Sequence, residues 1–456
     1  MSHKRHALHV AGLMLLLLHP LSVTAIVPNW EQTWRLPAST VLMPCNWTGF
    51  LQESAYRNWG LVDIDWSNAR AVWSSAEPMT CQETLLQQAR AVKAATPGAK
   101  VMVYRNLVKA LPWYSAVREK IRDPAYSGWF LKFSDAVRAN HSAAHVPVCT
   151  GTKCSLLYHD QWQTPGPAEA GTCLNGPCDC GDGIPCGEYL WDHRNQSLRD
   201  WLLNEFVLGD AALGSPDVDG FYFDDSWKTA PSPLPPTPAK PWVSCDRSPV
   251  GGASEEHPYC ALDMGLNAQD VSNIAGNWTL TAAMAEQAVL KHGGFTWGAS
   301  SLFVGTGARV AAMDKSGLGQ VWRDTCAQDL RARCVPNDPW AAGALLHELT
   351  RKTFTDPFPL PYVEQDVASF LLLRGPYAWI GHNWMGCPAI TQNAASLRPA
   401  QLDVDMVGEP VDANCHETEP NSGVFVREWT GAHVELNCTS FVATIRPKVN
   451  KAPRAK

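Results

Sequence analysis

Short apolar runs that each end in polar or acidic residues recur along this 456-residue chain, and they constrain its fold more than any other feature. Val41-Leu42-Met43 leads into Pro44-Cys45-Asn46-Trp47, and Leu61-Val62-Asp63-Ile64-Asp65 leads into Trp66. Val101-Met102-Val103-Tyr104 ends in Arg105-Asn106, and Gly220-Phe221-Tyr222-Phe223 ends in Asp224-Asp225. Tyr377-Ala378-Trp379-Ile380 ends in Gly381-His382-Asn383-Trp384. A helical stretch from about residue 80 to 96, stopped by Pro97-Gly98, separates the second run from the third. Strands alternating with helices predict βαβ units around a parallel sheet. Their wide spread along the chain favours a (β/α)8 TIM-type barrel, with an open doubly wound sheet as the alternative. No G-x-G-x-x-G follows the first run, which argues against a dinucleotide-binding version of the open sheet.

Two stretches break this rhythm. Residues 134–189 are rich in Gly, Pro and Cys, and residues 228–259 carry Pro231, Pro233, Pro235, Pro236, Pro238 and Pro241. Both are too long for ordinary connections and read as insertions over the barrel. From Gly423 the period changes to alternation: Gly423–Trp429 and His433–Asn437 flank a turn, with a further strand expected over 440–445. The expected organisation is a signal peptide over 1–25, a barrel over 26–400 with insertions at 134–189 and 228–259, and a small antiparallel β appendage with a basic tail over 401–456.

Lys4-Arg5, the apolar stretch Ala11–Leu18 and the small-residue pattern Val23-Thr24-Ala25 form a secretory signal, with a mature start near Ile26. That apolar stretch is too short to span a membrane, and no later segment approaches the ~20 apolar residues a spanning helix needs. The 15 cysteines suit an oxidising compartment, so the crowded group Cys149, Cys154, Cys173, Cys178, Cys180 and Cys186 reads as disulfides, and no metal site is assigned. Cys326 with Cys334, and Cys245 with Cys260, are the plausible local bridges, and an odd count leaves one thiol over. Five N-x-S/T triplets, at Asn46, Asn140, Asn195, Asn277 and Asn437, also point to a secreted, extracellular glycoprotein. With 44 acidic and 37 basic residues, bulk positive charge for nucleic-acid binding is absent.

Asp219-Gly220-Phe221-Tyr222-Phe223-Asp224-Asp225 is the strongest chemical signal. Side chains alternate along a strand, so Phe221 and Phe223 suit the helix-covered outside, which turns Tyr222 and Asp224 into the barrel. An acid at a barrel mouth serves glycoside hydrolysis, which needs two carboxyl groups. Capping of a turn, or calcium binding, is the structural alternative.

Asp192-His193-Arg194-Asn195, Arg199-Asp200-Trp201 and Asp219–Asp224 together resemble the D-x-x-N, R-D-W, D-G-x-x-x-D run of glycoside-hydrolase-like (β/α)8 barrels, distantly similar to the α-galactosidase and α-amylase superfamilies. Phe370–Ile380 is similar to the last helix and strand of such barrels. The resemblance implies that Asp224 holds the catalytic aspartate's place at the end of the fourth strand. The position two before it, often basic in the family, is Tyr222 here.

The expected function is therefore secreted hydrolysis of an oligo- or polysaccharide. Asp224 is the nucleophile or base, and Asp225, Asp65 or Glu364 is the proton donor; Asp314, which follows the apolar run Val310–Met313, is a further candidate for the same place. No cofactor is implied, and the partner is a carbohydrate, with no nucleic acid and no membrane after signal cleavage. Trp47, Trp66, Trp227, Trp297 and Trp384 offer indole faces to sugar rings, and Arg105, Asn106, Tyr222 and His382 offer polar contacts. The alternative is a non-catalytic extracellular carbohydrate-binding protein on a degenerate barrel.

Overall fold

The computed structural model describes residues 27–132, 157, 159–160, 179–225, 227, 264–298, 323–336, 338, 345–350, 360–384, 387, 397–403, 405 and 407–448. The signal segment, most of the first insertion, all of the second, Asp314, Asn140, the basic tail beyond Lys448, and Cys149, Cys154, Cys173, Cys178, Cys245 and Cys260 lie outside the described residues.

In chain order the strands are β1 (Thr40–Leu42), β2 (Leu61–Ile64), β3 (Lys100–Asn106), β4 (Lys109–Ala110), β5 (His159–Asp160), β6 (Glu188–Leu190), β7 (Gly220–Asp224), β8 (Phe295–Gly298), β9 (Leu345–Glu348), β10 (Ala378–His382), β11 (His416–Glu417), β12 (Val424–Glu428), β13 (Ala432–Asn437) and β14 (Val442–Pro447). Seven of them form a parallel sheet in the order β8-β7-β3-β2-β1-β10-β9. The winding sense decides between the two expected architectures. From β1 the chain steps outward through β2, β3, β7 and β8, then arrives at β9 and finishes at β10 against β1. A doubly wound sheet would place the first strand after the reversal next to β1, and later strands farther out. Here the last strand abuts the first, so every step runs in one sense, as in a (β/α)8 barrel. The open-sheet alternative is excluded.

Helices Cys81–Ala95, Ala268–Lys291 and Val363–Leu373 cover the outside. The longest, 24 residues, starts at a capping box in which Asn267 accepts from the Gln269 and Asp270 N–H groups while Asp270 accepts from the Asn267 N–H. Close backbone packing fixes β7 against β8: a Cβ on Gly220 would stand 1.9 Å from the Phe295 carbonyl oxygen. No helix among the described residues is long and apolar enough to cross a membrane.

The appendage is a four-stranded sheet, β11-β12-β13-β14, antiparallel throughout. Disulfides Cys326–Cys438 and Cys334–Cys415 tie it to the helix Cys326–Arg333, so the expected local bridge between Cys326 and Cys334 is corrected. Cys45–Cys387 joins the ends of β1 and β10, and Cys180–Cys186 closes a short loop. Among the described residues Cys81 is free and buried.

Arg427 of β12 docks the appendage onto the barrel. Only 3% exposed, it donates to the carbonyls of Leu372 (3.0 Å), Arg374 (2.8 Å) and Ala413 (3.0 Å). Two of these carbonyls belong to the C-terminal end of the helix Val363–Leu373, where backbone acceptors lack intrahelical partners and a cation is favoured. Arg427→Met would keep most of the volume and strand those acceptors. We expect a loss of about 2–4 kcal/mol in chemical denaturation. An unchanged midpoint would remove Arg427 from the docking contact.

Candidate active site

Register stacks the inward side chains in layers. In parallel pairs, partners share a face. Asp63 pairs with Met102, Met102 with Gly220, and Gly220 with Phe295. One layer nearer the mouth, Tyr104 pairs with Tyr222 and Tyr222 with Trp297. The Tyr104 and Tyr222 rings stack at 6.3 Å, and Trp297 meets Tyr222 edge-on at 6.4 Å. Above them, Asn106 pairs with Asp224. The opposite face carries Phe221 and Phe223, stacked at 5.6 Å.

Asp224 is half-buried at this upper layer. Its Oδ2 accepts from the Tyr104 hydroxyl (2.9 Å) and its Oδ1 from the Asp225 N–H (2.8 Å). Loss of water around it, and the neighbouring Asp225 charge, raise its pKa from 3.8 to about 7, against the pull of Lys109 and the two hydrogen bonds. A carboxyl poised there exchanges protons near neutral pH.

Asp225 accepts from the Asn106 side-chain N–H (2.7 Å) and pairs with the Lys109 ammonium at 3.0 Å. Lys109 also stands 3.0 Å from Glu188, which comes from the end of the first insertion. Burial pulls the Lys109 pKa down, but Glu188, Asp225 and Asp224 outweigh it and hold it well above its ordinary value. Asn106 organises the turn: its Oδ1 accepts from the Val108 and Lys109 N–H groups, and its amide donates to the Tyr104 hydroxyl (2.9 Å).

Asp65 follows β2 and is 4% exposed. It accepts from the Ser67 N–H (2.9 Å) and the Ser67 hydroxyl. Burial raises its pKa, opposed by hydrogen bonds from Ser67 and Trp384. Ser67 Oγ also lies 3.1 Å from the Cys387 sulfur and 3.3 Å from that of Cys45, so the disulfide backs this acid. Asp63, two residues earlier, is fully buried with neither oxygen hydrogen-bonded among the described residues, and burial pushes its pKa well up.

Several expected site residues stand close to these acids. Tyr222 and Trp297 form the wall beneath Asp224, and Trp66 packs on Tyr104 at 6.4 Å and on Trp113 at 5.1 Å. Trp384 reaches Asp65. Trp47 is half-buried in the turn after β1, and Trp227 is buried just beyond Asp225 in the chain.

Three expectations are corrected by placement. Arg105 alternates to the outer face with Phe223 and donates to the carbonyls of Tyr104 (2.9 Å), Phe206 (3.2 Å) and Ala211 (2.6 Å). His382 is wholly buried, with Nε2 at 2.8 Å from the Leu397 carbonyl and its ring against Trp59. Glu364 lies in the first turn of the helix Val363–Leu373, where acids are favoured by the helix dipole. It lines a cavity of about 490 Å3 with Val367, Leu371, Ala443 and Ile445, between that helix and the appendage, away from the acids.

Tyr104, Lys109 and Glu188 were not singled out from sequence. Strand alternation from Asn106 gives Tyr104; nothing local signals that Glu188 returns from an insertion to meet Lys109. Glu348, at the end of β9, shares Gly381's face by register and joins the inward-facing acids. The resembling motif is partly structural. Asn195 caps the helix Gln196–Trp201, Asp192 accepts from Arg194 (2.8 Å), and Asp219 pairs with Lys93 (2.5 Å) at the opposite end of β7.

No family model and no curated protein matches the sequence. Among solved structures, the chain is similar to the Arthrobacter globiformis cyclic α-maltosyl-(1→6)-maltose hydrolase, at 11% identity and a TM-score of 0.40, over 92% of this chain and 98% of that one. It is similar to the Nostoc punctiforme debranching enzyme at 10% identity and a TM-score of 0.40, over 91% and 89%. A maltogenic amylase from S. marinus follows at 9% and 0.36, over 89% and 62%. Likeness at this level assigns no activity, and the site stands on its own geometry.

The raised Asp224 pKa means that the fold holds this proton more tightly than the unfolded chain. The stability it contributes is complete below pH 4 and is lost as pH rises towards 7. Asp224→Asn cannot ionise and escapes that loss. At pH 8 it should be more stable than the parent by on the order of 2 kcal/mol, less than the full shift because the carboxyl is partly open to water, and the gain should vanish near pH 4. Urea denaturation at both values checks this; the same difference at each would show an unperturbed carboxyl.

Proposed function

We propose that this protein is a secreted glycoside hydrolase acting on an oligo- or polysaccharide. The observation that carries the reading is the inward Asp224 at the barrel mouth, hydrogen-bonded to Tyr104 and titrating at about 7, with Asp65 acting on the same Tyr104 and Tyr222 pair. Glycosidic cleavage needs one carboxyl that donates a proton to the leaving oxygen and another that attacks the sugar or activates water. Asp65 supplies the first role: burial favours its protonated form, and the aromatic layer lies between it and Asp224. Asp224 supplies the second: two donors hold its oxygens in place, and they favour the charged form. Asp225 is committed to Lys109 and Asn106, which suits an electrostatic part better than proton donation. The nearby indoles and tyrosines supply flat apolar faces suited to sugar rings.

Secretion belongs to the same proposal. It rests on the charged and apolar start of the sequence and on the four disulfides among the described residues, which an oxidising compartment sustains.

One observation favours the binding-only reading. Both carboxylates considered as partners of Asp224 here are already engaged, Asp225 by Lys109 and Asp65 by Ser67. The experiment that separates the two readings is a glycan hydrolysis screen of the parent with Asp224→Asn and Asp65→Asn. Hydrolysis is expected in the parent, with a fall of roughly 10³-fold or more in kcat for Asp224→Asn while sugar binding persists. Asp65→Asn should lose most on substrates with poor leaving groups. Sugar binding by the parent with no product at any pH would establish the binding-only reading.

A further inference from the structure

We propose that Lys109 is the positioning residue of this site, an ammonium that clamps Asp225 to Glu188 across the mouth and so decides how Asp224 shares its proton. The proposal rests on the reading of Asp224 as a reacting group. Its geometry begins with Asn106, whose side-chain oxygen accepts from the Val108 and Lys109 N–H groups and turns the chain back immediately after β3. β4 then pairs antiparallel with β6, Lys109 opposite Leu190 and Ala110 opposite Tyr189. That pairing sets the Lys109 Nζ 3.0 Å from Glu188 and 3.0 Å from Asp225.

Glu188 is delivered by a segment fixed to the barrel on its own account. The Cys180–Cys186 bridge closes the loop before it, the Met79 N–H donates to the Cys180 carbonyl (3.0 Å), and Arg118 faces Asp182 at 3.7 Å. The clamp therefore joins two independently anchored pieces of chain, the end of the first insertion and the end of β7. A single ion pair would satisfy a lysine that merely fills space. Here one cation meets two carboxylates, with the side chains of Lys109, Glu188 and Asp225 only 21%, 13% and 13% exposed.

The groups facing Lys109 are Glu188, Asp225 and Asp224, and those facing Asp224 are Asp225, Lys109, Tyr104 and Tyr222, with Asp65 and Asp63 across the aromatic layer. Lys109 is the cation in that set. Without it, three acids face one another and Asp224 keeps its proton to higher pH. Without the Glu188 charge, the ammonium acts on the remaining acids unopposed and Asp224 releases its proton sooner. Opposite shifts from the two halves of one clamp are a signature that simple packing would not give.

The test uses the full chain with aspartate carboxyls labelled with 13C, the Asp224 resonance being assigned by its absence in Asp224→Asn. Lys109→Met should raise the Asp224 titration by about one pH unit or more, Lys109→Arg should leave it within a few tenths, and Glu188→Gln should lower it. On a hydrolysed glycan, the kcat/KM profile should move in the same directions, with kcat changing more than KM. An unmoved titration in Lys109→Met, or a shift of the same sign in Lys109→Met and Glu188→Gln, overturns the proposal. Should Lys109→Met fail to fold, Glu188→Gln decides alone: a lowered titration supports the clamp and an unchanged one removes it. A parent that hydrolyses no glycan would sink the hydrolase reading while leaving this titration to be measured.

Discussion

Register across β2, β3, β7 and β8 determines what the interior of this sheet holds. Each parallel pair puts partners on one face, so Asp63, Met102, Gly220 and Phe295 make one layer, Tyr104, Tyr222 and Trp297 the next, and Asn106 and Asp224 the rim. A slip of one residue in β7 would turn Phe221 and Phe223 inward and bury Tyr222 and Asp224 against the helices. The glycine at the start of β7 resists such a slip, because the Phe295 carbonyl occupies the space a Cβ would need. The acid at the rim, its tyrosine donor and the indole wall thus follow from one alignment of backbones.

The same molecule buries several guanidinium groups, and it treats them unlike its acids. Arg105, Arg374 and Arg427 are nearly inaccessible, yet each donates to backbone carbonyls at helix ends or turns. Their planar forks match acceptors the fold leaves over, so burial is offset by hydrogen bonds. They serve as fasteners: Arg374 ties the end of the helix Val363–Leu373 to Thr33 and Ser39, and Arg427 ties the appendage to that same end. The inward acids have fewer donors, and the difference shows in protonation. Neither Asp63 oxygen has a side-chain donor among the described residues, and burial together with the neighbouring Asp65 charge raises its pKa, while Asp65 and Asp224 keep donors that oppose the same rise. Chemistry gathers where polar groups are left partly unsatisfied.

Much of the barrel was legible because its strands are short apolar runs with distinct ends. β1, β2, β3, β7 and β10 fall where the runs at 41–43, 61–65, 101–104, 220–223 and 377–380 place them, within a few residues. β8 and β9 were not, since Phe295-Thr296-Trp297 and Leu345-Leu346-His347 are too brief to stand apart from the surrounding sequence. Asp224's inward turn was legible from alternation, and the same rule applied one strand earlier would have sent Arg105 outward. Its position at a strand end suggests the mouth, but ending a strand fixes height in the barrel and not face. His382 fails in the same way. Glu188 was illegible for a different reason: its approach to Lys109 depends on how a long insertion folds back, and no local pattern encodes that return.

Asp224 and Asp225 are neighbours of identical chemistry with different parts, and the backbone explains why. Continued alternation would point Asp225 outward with Phe223. Instead Asp225 adopts φ +59°, the left-handed region, where a non-glycine residue sits at a cost of about 1 kcal/mol and aspartate is among the more tolerant types. That turn ends the strand and swings the second carboxyl back over the rim, where Asn106 and Lys109 hold it. Its N–H then caps Asp224 at 2.8 Å. The strained residue thus brings a negative charge beside Asp224, which raises its pKa, and a donor to its oxygen, which opposes the rise. Local strain kept at such a point is sustained by the contacts around it, and those contacts belong to the acids of the mouth.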